Sequence, residues 1–391
     1  MRIVYCGCFR LPNFDAAAPR VLNNANILLK LGHEVQFISW GGKYREEDLC
    51  ADGRYRINGA EYIITDELDA VGDFFEKIKM KICRGKKTLM LLNQMKPKPD
   101  LIIMYNADYW LTRRLLKFCN IHQVKLANDI TEWYDNKELH LVDIIPNFIN
   151  MTYIQRYVKN KIVISKYLDN YYSESNNIIL PPLCNPKENK WSFKVEDERV
   201  KPFNGITLIY AGNPAKKDCV HTVINAVNTL AKEGKAIRFL ILGITYETYI
   251  TKYGHLLKNK SLHNNVMFLG RVSQDLIPAY YKMADFMVLL REPNRKNMAG
   301  FPTKFAESMT AGVPVIANAT SDLTEYLING VTGFLIKGFD YDSILDTLRK
   351  SILTINRDNI NRMRQNVCMI NHAFDWHSKI NEMKKYINSI K

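Results

Sequence analysis

The chain has 391 residues, of which 47% are hydrophobic, and it carries a formal net charge of +14. This length fits two domains of ordinary size better than one core, and the lack of an apolar run of about eighteen residues predicts no membrane-spanning helix. The eight cysteines are dispersed, which is typical of a reduced, cytoplasmic protein rather than of a disulfide or zinc framework. The charge is compatible with nucleic acid, anionic lipid or an acidic substrate as partner.

The first elements predict a βαβ opening. Residues 2–9 have the pattern of a strand, 20–30 that of a helix closed by Gly32, and 33–40 that of the next strand. This order predicts an α/β domain with a parallel sheet, whose ligands gather outside the carboxyl ends of the strands. Arg20 follows the first strand and is therefore a candidate for phosphate or acceptor contact. A solvated arginine at a helix start is the equal alternative.

Residues 74–98 combine basic side chains with aromatic, methionine and aliphatic ones. A basic amphipathic stretch of this kind can lie on an anionic membrane surface. It can equally be a solvated helix that packs on the domain by its apolar side. The composition does not choose between the two.

Acidic residues follow the strand that ends near residue 127. Asp129 and Glu132 lie where an α/β sheet acquires its chemistry, so we identify them as candidates to position an acceptor hydroxyl or to act as a weak base. Capping of a strand-to-helix turn is the alternative for Asp129. A strand over 161–168 closes this half, and the polar, aperiodic residues 186–202 predict a linker.

The second half restarts with a strand over 206–212, a basic loop and a helix over 219–232. A strand, a glycine, a basic loop and a helix start make an anion site, which involves Gly212, Lys216 and Lys217. Arg291 ends a later strand and either faces the same anion or forms a structural ion pair.

Asp340 and Asp342 form a D-x-D pattern directly before a predicted helix. Helix capping explains both acids. The sequence therefore predicts no metal site there.

The most informative stretch is residues 299–318, AGFPTKFAESMTAGVPVIAN. It predicts a loop, a helix of about two turns with Pro302 at its first position, and a buried strand. Free N–H groups at the helix start and the charge of Lys304 make an anion site. Glu307 points to the same side and can accept hydrogen bonds from sugar hydroxyls. An ordinary surface pair of Lys304 and Glu307 is the alternative.

Residues 299–308, AGFPTKFAES, resemble the AGFPTKF-E-S motif of the GT4-type glycosyltransferases, in the subgroup that assembles bacterial polysaccharides. These are retaining, nucleotide-sugar-dependent enzymes of the GT-B fold. Residues 129–134 are similar to the D-x-x-E-W-Y element of the same enzymes. The resemblance implies an α/β fold with two Rossmann-like domains whose parallel sheets face a cleft. The implied ranges are an acceptor domain over 1–185 with a returning helix at 374–391, a linker over 186–202 and a donor domain over 203–373.

The resemblance also implies roles for individual residues. A lysine of the Gly212 loop would grip the donor diphosphate, with Lys217 as the best fit and Lys216 as the second, and Glu307 would hold the ribose. The implied donor-binding set is Gly212, Lys216, Lys217, Arg291, Gly300, Phe301, Pro302, Thr303, Lys304 and Glu307; the candidate catalytic set is Asp129, Glu132 and Lys304.

Two positions depart from the pattern of the family. Asn213 stands where relatives often have an arginine, and Ala299 stands where many carry an earlier glutamate. That glutamate is often assigned to the sugar, so the donor sugar is not readable from the sequence.

The function implied is a retaining, metal-independent and cofactor-free transfer from a nucleotide-diphosphate sugar to a glycan or lipid-linked glycan in cell-surface polysaccharide synthesis. The expected location is the cytoplasm, and the inner face of the membrane if residues 74–98 contact lipid. A nucleotide-sugar epimerase of the same fold is one alternative. A nucleic-acid-binding protein is another, but the basic residues lack an RNP-type aromatic pattern or a recognition helix, so no nucleic-acid partner is expected.

Overall fold

The computed structural model describes residues 1–68, 73–134, 139, 141–214, 218–259 and 261–390. The chain forms two compact units. Unit 1 holds Met1–Leu183, Ala299–Phe301 and Trp376–Lys391, and unit 2 holds Cys184–Met298 and Pro302–Asp375. Residues 186–202, the expected linker, thus belong to unit 2, where the buried Trp191 donates its indole N–H to the carbonyl of Asn185 at 2.7 Å.

Unit 1 is built on an eight-stranded sheet in the order β3-β4-β2-β1-β5-β6-β7-β8. Its strands are β1 (Arg2–Leu11), β2 (Glu34–Gly42), β3 (Arg56–Ile57), β4 (Ala60–Ile64), β5 (Leu101–Tyr105), β6 (Lys125–Ile130), β7 (Asn160–Val163) and β8 (Asn176–Ile179). All neighbours pair in parallel except β3 and β4, which form an antiparallel edge hairpin. The predicted parallel sheet is confirmed apart from this edge.

Helices cover both faces of this sheet. They are α1 (Ala17–Lys30), α2 (Phe74–Cys83), α3 (Lys86–Gln94), α4 (Tyr109–His122), α5 (Leu141–Thr152), α6 (Lys166–Tyr171) and, from the end of the chain, α14 (Ile380–Ser389). Successive side chains of a strand point to opposite faces. Ile3 and Tyr5 accordingly join one core with residues of α1 and α14, whereas Val4 and Cys6 join another with residues of α3 and α4.

The strand predicted over 161–168 is only partly correct. β7 ends at Val163, and α6 begins at Lys166. Ser165 caps this helix, because its hydroxyl accepts a hydrogen bond from the backbone N–H of Leu168 at 3.4 Å. The capping serine ends the apolar run as a strand and starts a helix instead.

Unit 2 contains a six-stranded, fully parallel sheet in the order β11-β10-β9-β12-β13-β14. Its strands are β9 (Ile206–Ala211), β10 (Ile237–Leu242), β11 (Val266–Gly270), β12 (Phe286–Leu289), β13 (Val315–Asn318) and β14 (Gly333–Ile336). Its helices are α7 (Val220–Lys232), α8 (Tyr246–Tyr253), α9 (Ile277–Lys282), α10 (Arg295–Ala299), α11 (Thr303–Thr310), α12 (Tyr341–Thr347) and α13 (Arg357–Ile370). The buried, apolar strands are those expected of a sheet covered on both faces.

The basic stretch at 74–98 forms two short helices, α2 and α3, rather than one long one. Gly85 separates them, with a φ of 78°. Within the described ranges, no helix combines the length and the apolar character that crossing a bilayer requires.

Candidate functional site

The strand order of unit 2 changes direction between β9 and β12. The chain builds outward from β9 through β10 to β11, and outward on the other side from β12 through β13 to β14. Ligands of doubly wound sheets bind at the carboxyl ends of the strands at such a switch point. Gly212 directly follows β9, and Arg291 follows β12, so the fold brings these two predicted residues to the same point.

Asp218 is the centre of this switch point. Its buried carboxylate accepts from Arg291 Nε at 2.7 Å, from Lys304 Nζ at 3.2 Å and from the hydroxyl of Tyr210 at 2.6 Å. Burial acts to raise the pKa of Asp218, but the charges of Lys304 and Arg291 outweigh it and hold that pKa well below its ordinary value. Asp218 therefore stays ionised and fixes two cations beside the loop that follows Gly212.

The Lys304 side chain lies against Gly212. A Cβ added at Gly212 would come within 2.4 Å of Lys304 Cε, and the φ of Gly212 is +132°. A Cβ added at Gly243 would in turn lie 2.4 Å from the Gly212 carbonyl oxygen. Gly212 favours glycine because of its φ, and Gly243 requires glycine because a Cβ there would meet the backbone of the loop that follows Gly212.

Arg291 is held by its backbone as well as by its guanidinium. Asn318, at the end of β13, accepts from the Arg291 backbone N–H at 2.9 Å and donates to the Arg291 carbonyl at 2.7 Å. The backbones of Asp218 and Arg291 also pair with each other in an isolated antiparallel β-bridge. Of the two alternatives for Arg291, the structural ion pair is therefore the one observed.

Glu307 lies one turn after Lys304 in α11 and is half-buried. Burial raises its pKa, and the charges of Lys304 and Lys190 act in the opposite direction. Within the described part of the chain, no hydrogen bond or ion pair occupies its carboxylate, which leaves it able to accept from ligand hydroxyls.

Some of the remaining predicted donor-binding residues lie outside the described residues, and the others are divided between the two units. Lys216 and Lys217 lie outside the described residues. Gly300 and Phe301 belong to unit 1, whereas Pro302–Asp375 belong to unit 2. Pro302 caps α11 in an extended conformation, and the helix itself starts at Thr303, one residue later than predicted.

Arg20 and Asp129 form a buried ion pair in unit 1. Arg20 Nη2 lies 2.7 Å from Asp129 Oδ1, and a second guanidinium nitrogen, Nε, donates to the same carboxylate at 3.0 Å. The carboxylate also accepts from the Tyr5 hydroxyl at 2.5 Å and from Asn24 at 3.1 Å. Burial acts to lower the pKa of Arg20, but the Asp129 carboxylate outweighs it and raises that pKa above its ordinary value.

This ion pair differs from both hypotheses for Arg20, which were contact with phosphate or acceptor and a solvated position at a helix start. It also differs from the capping role considered for Asp129. Arg20 also donates to the Leu180 carbonyl at 2.9 Å, so it joins α1, β6 and the exit of β8. Because both side chains are buried and satisfied by one another, neither is available to a ligand. The geometry supports a structural role for both.

Glu132 has a different environment from Asp129. It is half-buried beyond the end of β6, and none of the hydrogen bonds and ion pairs of the described residues involves its carboxylate. The strand exit is held in place by Asn106, which donates to the Thr131 hydroxyl at 2.6 Å and accepts from the Thr131 backbone N–H at 2.9 Å. Of the two acids, only Glu132 keeps a carboxylate that a ligand could use.

Asp340 has the predicted capping role. Its carboxylate accepts from the Ser343 backbone N–H at 2.9 Å and from the Ser343 hydroxyl at 2.7 Å, at the start of α12.

Sequence reasoning missed Asp218, Tyr210 and Asn318. Asp218 had a usable signal, since an acid that follows two lysines in a switch-point loop is a natural partner for an arginine at the next strand end. Tyr210 and Asn318 had no such signal. A tyrosine inside a strand such as β9 and an asparagine at the end of a strand such as β13 are ordinary residues there.

Known proteins resemble this chain in both sequence and fold. Residues 194–367 match the model of the family described as "Glycosyl transferases group 1". The capsular polysaccharide biosynthesis glycosyltransferase CapM of Staphylococcus aureus is 23% identical over 88% of this chain and 87% of its own. The N-acetyl-alpha-D-glucosaminyl L-malate synthase of Bacillus anthracis is 23% identical over 82% of this chain and 80% of its own.

The structure of Anabaena HepE in complex with UDP superposes with a TM-score of 0.68 over 100% of both chains, at 13% identity. At this identity the likeness concerns the fold. The prediction of an α/β, GT-B architecture with two Rossmann-like units is confirmed.

Proposed function

We propose that this chain is a group 1 glycosyltransferase with the GT-B fold and that it transfers a sugar with retention of configuration and without a metal. The donor in this proposal is a nucleotide-diphosphate sugar, and the acceptor is a glycan or lipid-linked glycan. CapM acts in capsular polysaccharide biosynthesis, and HepE was solved with UDP. The first protein supports the pathway class, and the second supports a donor that contains a nucleoside diphosphate.

The observation that carries the proposal is the cluster around Asp218. Lys304 is held between that carboxylate and Gly212 with its ammonium group at the switch point. An ammonium placed there can neutralise the charge that develops on a leaving diphosphate, which lowers the barrier to an oxocarbenium-like transition state. Arg291 contributes indirectly, because it keeps Asp218 in place.

The Gly212 loop supplies the second part of the donor site. Its backbone N–H groups and the lysines expected at 216 and 217 would hold the other phosphate. Glu307 would accept from the ribose hydroxyls, since its carboxylate is partly buried and has no partner in the described part of the chain. With this much positive charge, we propose that the phosphates need no metal ion.

On the acceptor side, Glu132 is the candidate to position the attacking hydroxyl, and Asp129 is not. We propose front-face transfer, in which the acceptor hydroxyl attacks the anomeric carbon on the side from which the diphosphate departs. In that scheme the departing phosphate oxygen takes the acceptor proton, and Glu132 orients the hydroxyl.

We also propose that residues 74–98 contact an anionic membrane surface. Contact there would put a cytoplasmic enzyme at the inner face of the membrane, where lipid-linked acceptors are found. The basic side chains of α2 and α3 supply the attraction.

The test is a panel of nucleotide sugars and nucleoside diphosphates screened for protection against thermal unfolding, with and without EDTA. A donor should raise the melting temperature of the wild type, and EDTA should not change that shift. Lys304→Ala and Glu307→Ala should lose the shift, whereas Lys350→Ala, at an exposed lysine of unit 2, should keep it. Retention of the shift in both site variants would refute the site. Turnover of a nucleotide sugar without acceptor would favour the epimerase alternative.

A further inference from the structure

Large apolar side chains are exposed along the outer side of α5. Ile145 is 68% exposed and Phe148 51% exposed, and Val142 precedes them at the same spacing of three residues. This spacing places all three on one side of the helix. Tyr153 and Tyr157 follow, 61% and 70% exposed, and the rings of Phe148 and Tyr153 lie 6.3 Å apart.

The α2 helix extends this surface. Lys81 of α2 forms an ion pair with Asp143 of α5, so the two helices are neighbours. Phe75 is 77% exposed, and Ile82, next to the ion pair, is also exposed. We call these side chains the apolar patch: Phe75, Ile82, Val142, Ile145, Phe148, Tyr153 and Tyr157.

Basic residues flank the members of the apolar patch along the chain, and we call them its basic border. Residues 73–98 hold eight lysines and arginines against two acids, and Lys77, Lys79, Lys86 and Lys87 are exposed. Arg156 and Lys159, next to the two tyrosines, are exposed as well. A group of large exposed apolar side chains beside basic ones marks a candidate interaction surface.

We propose that the apolar patch docks on a bilayer that contains anionic lipid, with α5 as the inserting element. The border of lysines and arginines matches the negative headgroups. Ile145 and Phe148 reach the boundary between headgroups and acyl chains, and the two tyrosines lie at headgroup level, where an amphipathic ring is favoured. This rests on the membrane part of the proposed function and deepens it, since it moves the apolar contact from residues 74–98 to a surface shared with α5.

The positive charge of the basic border indicates which partner the apolar patch binds. A second copy of this chain would bring the same basic border against itself, which is repulsive. An apolar protein partner would not require the border at all. A lipid surface uses both the apolar side chains and the charges.

The experiment is flotation of the full chain with vesicles of phosphatidylcholine alone and of phosphatidylcholine with 30% phosphatidylglycerol (about a third anionic lipid). The test variant is Ile145→Gln/Phe148→Gln. The matched control is Ile328→Gln, because Ile328 is an exposed isoleucine of unit 2. Thermal unfolding verifies that each variant is folded, and sedimentation velocity reports its oligomeric state.

Wild type and control should float with the anionic vesicles, and the double variant should bind them at least about tenfold more weakly, since two inserted side chains are lost. Binding should weaken at about 0.5 M salt. Equal flotation of the double variant and the control would overturn the proposal. A dimer that only the double variant dissociates would overturn it in favour of a contact between copies. Donor protection should be the same in all three proteins, so a failure of flotation is distinguishable from a failure of the donor site.

Discussion

Asp218 shows how much one buried carboxylate organises at the residue scale. It fixes Lys304, Arg291 and Tyr210 at once, and its lowered pKa keeps it charged over the whole physiological range. Removing one partner of such a buried cluster leaves the other charges without compensation. The position of Lys304 therefore depends on Asp218 and on the other side chains that Asp218 holds.

Glu307→Gln is expected to stabilise the unliganded protein at pH 8 while it weakens donor binding. Burial raises the pKa of Glu307, so the folded state binds its proton more tightly than the unfolded chain does. The free energy of unfolding then falls as pH rises from the ordinary carboxyl range through that raised pKa. Thermal unfolding measured from below the ordinary pKa of 4.5 up to pH 8 should show this fall in the wild type and a smaller one in the variant. A variant that is less stable at pH 8 and still protected by donor would contradict this prediction.

Gly212→Ala is expected to abolish donor protection, because alanine is strained at a φ of +132° and its methyl group would displace the Lys304 side chain, whose Cε lies 2.4 Å from the added Cβ. Gly234→Ala is the control. It also has a positive φ, of +76°, but no atom within 4 Å of the added Cβ. The control should lose only about 1 kcal/mol of stability and keep its donor shift. The prediction fails if both variants behave alike in the donor shift assay.

At the scale of elements, two buried ionisable groups hold unit 1 together, the Arg20–Asp129 ion pair and Lys161. The Arg20 and Asp129 pair connects α1 to β6 and to the chain after β8. Lys161 of β7 donates to the Val158 carbonyl at 2.5 Å and to the Ser175 hydroxyl at 2.6 Å, and it is fully buried. The sheet of unit 1, and not the candidate functional site, positions the Arg20–Asp129 pair and Lys161.

Arg20→Ala is expected to cost about 3–5 kcal/mol of stability, since Asp129 would remain buried without its partner. The double variant Arg20→Met/Asp129→Leu should recover most of that loss. Urea unfolding of the three proteins measures the difference. Full stability of Arg20→Ala together with a large loss of transferase activity would instead show that the pair acts in catalysis.

Lys161 is expected to make the stability of unit 1 depend on pH. Burial, with a contribution from Lys159, lowers the pKa of Lys161 to about 7. The unfolded chain therefore binds a proton that the folded state releases above that pH, and stability should rise between about pH 7 and 10 by at most about 1.4 kcal/mol per pH unit. Lys161→Met should remove this rise, whatever its effect on absolute stability. An unchanged pH slope in the variant would show that Lys161 is charged when folded.

At the scale of the whole molecule, the chain begins and ends in unit 1. Met383, Tyr386 and Ile387 of α14 are buried in the core that also contains Ile3 and Tyr5 of β1. The final helix is therefore part of the fold of unit 1 rather than an appendage. A substitution in α14 should therefore change the stability of the core that contains β1.

Met383→Asp tests this by comparison with Lys384→Asp, its neighbour on the exposed side of α14. Burying a carboxylate in the apolar core should destabilise the protein by on the order of 3 kcal/mol. The Lys384 variant should change stability by less than about 0.5 kcal/mol. Both are read from thermal unfolding, and equal melting temperatures would exclude α14 from the core.

The sequence by itself determined the α/β class and most strand and helix positions, and it predicted an anion loop after Gly212 with Lys304 and Glu307 as donor-binding candidates. These features depend on short-range patterns of apolar residues, glycines and helix starts. Only the tertiary structure decided that Arg291 pairs with Asp218, 73 residues away, and that Arg20 pairs with Asp129, 109 residues away. A side chain's charge and type are local properties, whereas its partner is set by which strand ends the topology brings together.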